Sequence, residues 1–245
     1  MDSGLITGAY SLRNLEDWQS LIAHNLANSS TVGFQKNTFQ VGAKPVREME
    51  RTKGVSEPQT LLPVGTAMRP QISGELKVTQ NPYDLSIMGE GYFSVGGPEG
   101  QTLYTRDGEF HRNNEGILVN KMGYPLLAEG SPIELPPEEG PFTVARDGTV
   151  SQKGQAIGRI SIYQFNNPEL LQRGNGSFIL DPDNEGGALL VENAEVIQGQ
   201  LEMSTVSPMS EMVNMIQVSR AYEMTQKLIQ ENDDRLRKAI EAFSV

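Results

Sequence analysis

The stretch SPMSEMVNMIQVSRAYEMTQKLIQENDDRLRKAIEAF, from Ser207 to Phe243, decides how this chain is read. Met215, Val218, Tyr222, Thr225, Ile229, Asn232, Leu236, Ala239 and Phe243 fall at alternating steps of three and four. That spacing keeps one stripe on one helix face and, sustained this long, predicts a coiled-coil seam. Ser207 followed by Pro208 is a helix start, because serine can cap free amides and proline fits the first turn. Nothing inside the stretch stops the helix, which spans on the order of 50 Å at ~1.5 Å per residue. Glu211, Arg220, Glu223, Lys227, Glu231, Arg235, Arg237 and Lys238 flank the stripe. A solitary helix of this kind exposes its apolar seam, so it needs a partner. The plainer alternative is a terminal helix packed on its own domain.

A second amphipathic segment runs from about Leu5 to Ala27, with Leu5, Gly8, Leu12, Leu15, Gln19, Ile22 and Leu26 again at steps of three and four. Ala9, Trp18 and Ala23 widen this stripe. Two such segments at opposite ends of one chain are most simply satisfied by packing on each other and on neighbouring copies. Gly8, Gln19 and Asn232 weaken the seams, although a buried asparagine can fix register.

Composition sets the outer bounds. The 245 residues carry 37% hydrophobic side chains, enough for one or two packed domains. With 31 acidic and 20 basic residues the formal charge is -11, which argues against general affinity for nucleic acid. The absence of cysteine excludes disulfides, thiolate metal sites and cysteine catalysis. The opening Met1-Asp2-Ser3-Gly4-Leu5 lacks the features of a cleaved secretory signal. No stretch approaches the ~20 apolar residues of a membrane span.

The first helix is expected to end in Asn25-Leu26-Ala27-Asn28-Ser29-Ser30-Thr31-Val32-Gly33-Phe34. Asparagine and serine compete for backbone hydrogen bonds, and Gly33 permits a positive φ. This run resembles the N-terminal signature of the flagellar rod and hook family: a helix, an Asn-Leu-Ala-Asn run, a threonine and Gly-Phe. The family motif is carried here by Asn25, Leu26, Ala27, Asn28, Gly33 and Phe34. His24 and Gln35 depart from the usual pattern without touching the turn residues.

Val41 to Pro70 is rich in proline and mixed charge and reads as a linker with short extended pieces. Beyond it, Leu85, Ile87 and Tyr92 to Val95, set among glycines, read as short strands. Gly89-Glu90-Gly91 is no dinucleotide loop, since no helix follows it. Two Arg-Asp-Gly tripeptides, Arg106-Asp107-Gly108 and Arg146-Asp147-Gly148, predict two similar hairpins. Gly158 to Phe165, Phe178 to Leu180 and Leu189 to Val191 supply further strands. The Gly-x-Gly-aromatic-Phe run, the Tyr104-Thr105-Arg106-Asp107-Gly108 and Gly123-Tyr124-Pro125 turns, and Arg220-Ala221-Tyr222-Glu223 also resemble the family.

An enzyme needs a constellation, and candidates are poor. His24 and His111 lie in different segments without metal-ligand spacing. Ser3, Ser94 and Ser161 lack a nucleophile-elbow setting. Asp84, Asp107 and Glu109 lie near aromatics as a glycosidase pair would, but Asp107 and Asp147 have a sufficient role in turns.

The expected fold is α+β, with long N- and C-terminal helices forming a coiled-coil domain and a central all-β domain between them. Residues 1–36 form the first helix and turn, 37–77 a linker, 78–201 the β-rich domain and 202–245 the second helix. The expected assembly residues are Leu5, Leu12, Leu15, Ile22, Leu26, Met215, Val218, Tyr222, Ile229, Leu236 and Phe243. The resemblance implies a structural subunit of the bacterial flagellar basal-body rod, proximal by the short segment between Phe39 and Gly65. It would polymerise with itself and other rod subunits into a shaft that transmits torque to the hook. It further implies passage through the flagellar type III export apparatus without a cleaved signal, a final place in the rod across the periplasm, and no cofactor. A distal rod subunit is the nearest alternative; an exported β-domain binding module is the alternative from another class.

Overall fold

A computed structural model describes residues 3–45, 61–68, 72–98, 100–136, 140–166, 171–173, 178–180, 186–191 and 193–243. Two helices, α1 (Ser3–Ala27) and α2 (Pro208–Phe243), flank a β-rich region in sequence, giving an α+β fold. The chain divides into two compact units. One contains residues 1–27, 37–68 and 207–245, and the other residues 28–36 and 69–206.

In the helical unit α1 and α2 pack against each other and run antiparallel. Asn25 meets Glu211, Glu16 accepts a hydrogen bond from Tyr222 at 3.1 Å, and Gly8 faces Ile229. Moving back along α1 from Asn25 to Glu16 to Gly8 moves forward along α2 from Glu211 to Tyr222 to Ile229. A Cβ on Gly8 would meet Ile229 Cγ1 at 3.0 Å, so the residue that weakens the stripe also lets the helices approach. Ile22 and Val218 are buried, and Leu12, Leu15, Leu26, Met215, Tyr222 and Ile229 are half-buried. Asn232 is exposed. Leu5, Leu236 and Phe243 lie in the helices, but their side chains fall outside the described residues.

The same unit holds an antiparallel ribbon of Thr38–Pro45 and Leu61–Met68, with Val41 opposite Gly65. Phe39 stacks on Trp18 at 5.8 Å between ring centroids. Gly65 donates its N–H to Asn14 Oδ1 at 3.0 Å. A Cβ on Gly65 would lie 2.0 Å from the Phe39 ring, so only glycine lets the ribbon close over that ring. The stretch read from sequence as a linker is thus partly a paired ribbon fastened to α1; the charged cluster at 47–53 lies outside the described residues.

The β unit is antiparallel throughout its described pairings. Its largest sheet has six strands in the order Gln172–Arg173, Phe178–Leu180, Thr102–Thr105, Tyr92–Gly96, Ile162–Phe165 and Ala188–Leu190. A three-stranded meander spans Phe142–Val144, Thr149–Gln152 and Gln155–Arg159. Short pairs join Leu76–Val78 to Gln200–Glu202 and Leu85–Met88 to Glu195–Gln198. Leu85, Phe93, Val95, Leu118, Leu126 and Val150 form the fully buried centre of one apolar core. A smaller cluster joins Tyr92, Tyr104, Phe165 and Ile179. Tyr104 and Phe165 meet edge to face at 4.8 Å, a geometry favoured by the ring quadrupoles.

The two Arg-Asp-Gly stretches differ, which corrects the expectation of two similar hairpins. Arg146-Asp147-Gly148 closes a hairpin: Val144 pairs with Val150, Gly148 has φ +84 and Asp147 Oδ1 accepts the Thr149 N–H. Arg106-Asp107-Gly108 does not, because the strands on its two sides pair with other partners. Gly108 instead donates space. Its carbonyl accepts the Leu85 N–H, and a Cβ there would overlap the Leu85 carbonyl oxygen at 1.6 Å.

The residues grouped by packing also depart from the expected boundaries, since 28–36 belongs with the β unit. The physical reason is the burial of Phe34 and Gln35 among residues of that unit.

Candidate functional site: two opposed faces of the terminal helix

α2 is apolar on two sides. Its inner side, centred on Val218 at 1% exposure, is packed on α1. Met209 (74% exposed), Met212, Val213, Ile216 (54%), Met224 and Leu228 (62%) stand outside. At 3.6 residues per turn these six fall within about 160° of the circumference, centred opposite Val218. Isolated exposed apolar residues are ordinary, but Met209, Met212, Val213 and Ile216 cluster over the first turns of α2, and Met224 and Leu228 follow on the same side beyond Arg220 and Glu223, which marks a contact face with charges set into it. The sequence contained this signal, masked because the better-spaced inner stripe explains the helix by itself.

At one end of the pair, Asn25 is fully buried. Its Nδ2 donates to the Asn37 carbonyl at 2.8 Å and to Glu211 Oε2 at 3.2 Å, while its Oδ1 accepts the Asn37 N–H at 3.1 Å. One amide side chain thus binds α1, residue 37 and α2 together. Leu26 and Ala27 complete α1. Beyond them Asn28 accepts the Thr31 N–H through its carbonyl, turning the chain.

Gly33 and Phe34 belong to the β unit. Gly33 has φ +65 and donates its N–H to the Glu202 carbonyl at 2.8 Å. Phe34 is buried and accepts the Thr205 N–H. Tyr92 Oη donates to Gln35 Oε1 at 2.7 Å. The family motif is therefore split between two jobs: Asn25 organises the helical pair, and Gly33 and Phe34 anchor the β unit.

The carboxylates weighed for chemistry come together in the β unit. Asp84 and Glu109 form an isolated antiparallel bridge through their backbones, and Glu109 pairs with Lys121 at 2.6 Å. Asp107 Oδ1 accepts the Glu109 N–H at 3.0 Å. Burial pushes Asp107 up to about 6, against the Glu109 N–H and the Lys121 charge, which lower it. A carboxyl raised by folding contributes stability that is complete below its unfolded value of 3.8 and is lost as pH rises through about 6. Asp107→Asn is expected to raise stability at pH 7.5 by on the order of 2 kcal/mol, and to change little at pH 4. Urea midpoints of both proteins at the two pH values check this; equal midpoints at pH 7.5 contradict it.

His24 lies in the last turn of α1 and His111 in the strand Phe110–Arg112, in separate units. Among the described residues no cluster of His, Cys, Asp and Glu is arranged to hold a metal. No described helix is long and apolar enough to cross a membrane.

Comparison with known proteins places the chain in a family. Residues 86–152 match the family described as the flagellar hook protein FlgE/F/G D1 domain, and residues 197–242 match the flagellar basal body rod FlgEFG protein C-terminal family. The chain belongs to the flagellar basal-body rod protein family, whose members are structural proteins and not enzymes.

It is 33% identical to the flagellar basal-body rod protein FlgF of Caulobacter vibrioides over 98% of both chains. It is also 33% identical to the flagellar basal-body rod protein FlgG of Buchnera aphidicola, covering 89% of this chain and 91% of that one. With FlgF of Escherichia coli the identity is 29% over the whole of both.

Proposed function

We propose that this chain is a proximal rod subunit that polymerises through its terminal helices, as coiled coils with neighbouring subunits, into the shaft carrying torque from motor to hook. The observation that carries the reading is the exposed row Met209, Met212, Val213, Ile216, Met224 and Leu228, opposite a face already packed on α1. A helix with both sides apolar has one more partner to bury than its own chain supplies. Repeated heterologous contacts through such a face extend along an axis instead of closing. The subunit reaches the rod through the flagellar export apparatus without a cleaved signal.

Proximal placement is favoured by the nearly complete overlap with FlgF-named relatives, against about nine-tenths for the FlgG-named one. The short segment between Phe39 and Gly65 supports the same choice. The experiment is purification of basal bodies from a strain unable to make its own FlgG-named protein. The chain is expected to remain in those basal bodies; its absence would place it distally. An exported binding module would also be missing from basal bodies of the parent strain, where a distal subunit is present.

A further inference from the structure

Inside the β unit the chain crosses itself at Arg106, which is 3% exposed, beside Glu202, at 2%. Three stretches meet there: 33–36, 73–75 and 202–205. Glu202 holds two of them to the third, since its carbonyl accepts the Gly33 N–H at 2.8 Å and its Oε1 accepts the Gly74 N–H at 2.7 Å. Around it, Met203 donates to the Glu75 carbonyl and Thr205 to that of Phe34. Lys36 donates its backbone N–H to Thr205 Oγ1 at 2.8 Å. A Cβ on Gly74 would lie 2.1 Å from the Met203 carbonyl oxygen, so the crossing is in direct backbone contact.

Arg106 spans the same point from the sheet side. Its Nη1 lies 3.4 Å from Glu202 Oε2 and 3.4 Å from the Ile87 carbonyl. Its Nη2 reaches Ser73 Oγ at 3.5 Å and the Gly89 carbonyl, and its guanidinium lies over the Tyr92 ring at 5.9 Å. Among the described residues, Arg106 Nε and Glu202 Oε2 have no hydrogen-bond partner.

The energetics and the geometry of this pair point in different directions. Two charges have been taken out of water, most of Arg106's polar contacts are long, and one atom on each partner is left unbonded. Such a pair gives little net stability, because the desolvation cost consumes the Coulomb gain. Yet between them the two residues touch all three stretches: Arg106 reaches Ser73 and Glu202, and Glu202 takes the Gly74 N–H on Oε1 and the Gly33 N–H on its backbone carbonyl. Those stretches lead in sequence to residues 37, 68 and 207, where the helical unit takes up the chain.

We infer that the Arg106–Glu202 pair is a registering clasp: it fixes the mutual placement of the three stretches without adding net stability to the β unit. The inference goes beyond the rod reading and does not depend on it.

The test uses the full chain as Arg106→Met, Glu202→Gln and the double variant, in which both charges are gone and an acceptor for Gly74 is kept. Each single variant leaves a buried charge alone and is expected to lower the Tm by at least about 8 °C, whereas the double variant falls by less than about 3 °C. In the double variant the Gly33, Gly74 and Thr205 amides are expected to exchange with deuterium at least about tenfold faster, with Leu118 and Leu126 unchanged. A double variant as unstable as either single variant, or one that does not fold, overturns the inference, because the pair then carries stability itself. Retained protection at Gly33, Gly74 and Thr205 overturns it too, because the register is then set elsewhere.

Discussion

A chain carrying aspartate at both Met212 and Ile216 is expected to fold as before and fail to restore swimming to a strain lacking its own copy. In the monomer both side chains are about half exposed, and surface substitutions of this kind usually change stability within about 0.5 kcal/mol. In an assembled shaft the same positions become apolar contact, and each carboxylate must be desolvated without a counter-charge. That costs several kcal/mol per contact, and about 4 kcal/mol already weakens association roughly a thousandfold. The inner face behaves oppositely. Val218→Asp places a charge at a site 1% exposed, so helical circular dichroism should fall in the monomer itself. Swimming by the Met212 and Ile216 double variant, with basal bodies that contain it, would refute the outer face as an assembly surface.

The second large effect is expected at Gly33. Its φ of +65 costs a side chain about 1–2 kcal/mol. A Cβ would also lie 2.2–2.4 Å from the Arg106–Asp107 backbone, which no rotamer change relieves. Gly33→Val should therefore destabilise the β unit by on the order of 4 kcal/mol and expose Phe34. Gly89 provides the internal standard, with φ +90 and nothing within 4 Å of an added Cβ. Gly89→Ala measures conformational strain alone, and Gly33→Ala measures strain plus collision. Equal urea midpoints for those two alanine variants would show that the close packing at Gly33 carries no energy.

Local patterns made the helices legible, because burial of one helix face leaves a trace at steps of three and four. The stripe from Met215 to Ile229 holds the buried Val218 and the half-buried Met215, Tyr222, Thr225 and Ile229. The outer face was not legible, since a stripe search settles on the better-spaced row. Asn25 and Gly33 were recognised as turn chemistry from their neighbours. Their decisive partners are distant: Glu211 lies 186 positions from Asn25, and Gly33 rests on Arg106 and Glu202. Single-sequence periodicity carries no information about such pairings. Arg106-Asp107-Gly108 shows the converse error, where a strong turn signal belonged to a glycine selected for backbone approach. The ribbon was half visible, because Phe39 and Gly65 look unremarkable until a ring is laid over the glycine.

The antiparallel pairing of α1 with α2 has a consequence in time. Tyr222 and Glu16 are separated by 206 positions, so until nearly the entire chain has been made α1 lacks α2 and has the ribbon of residues 38–68 to pack on. Contacts this remote are entropically slow to close compared with neighbouring strands. The β unit, whose described pairings are mostly closer in sequence, is expected to be complete while both helices still wait. Until the pair closes, both inner apolar rows of a young chain stay uncovered, and that is the interval in which it is most open to premature association.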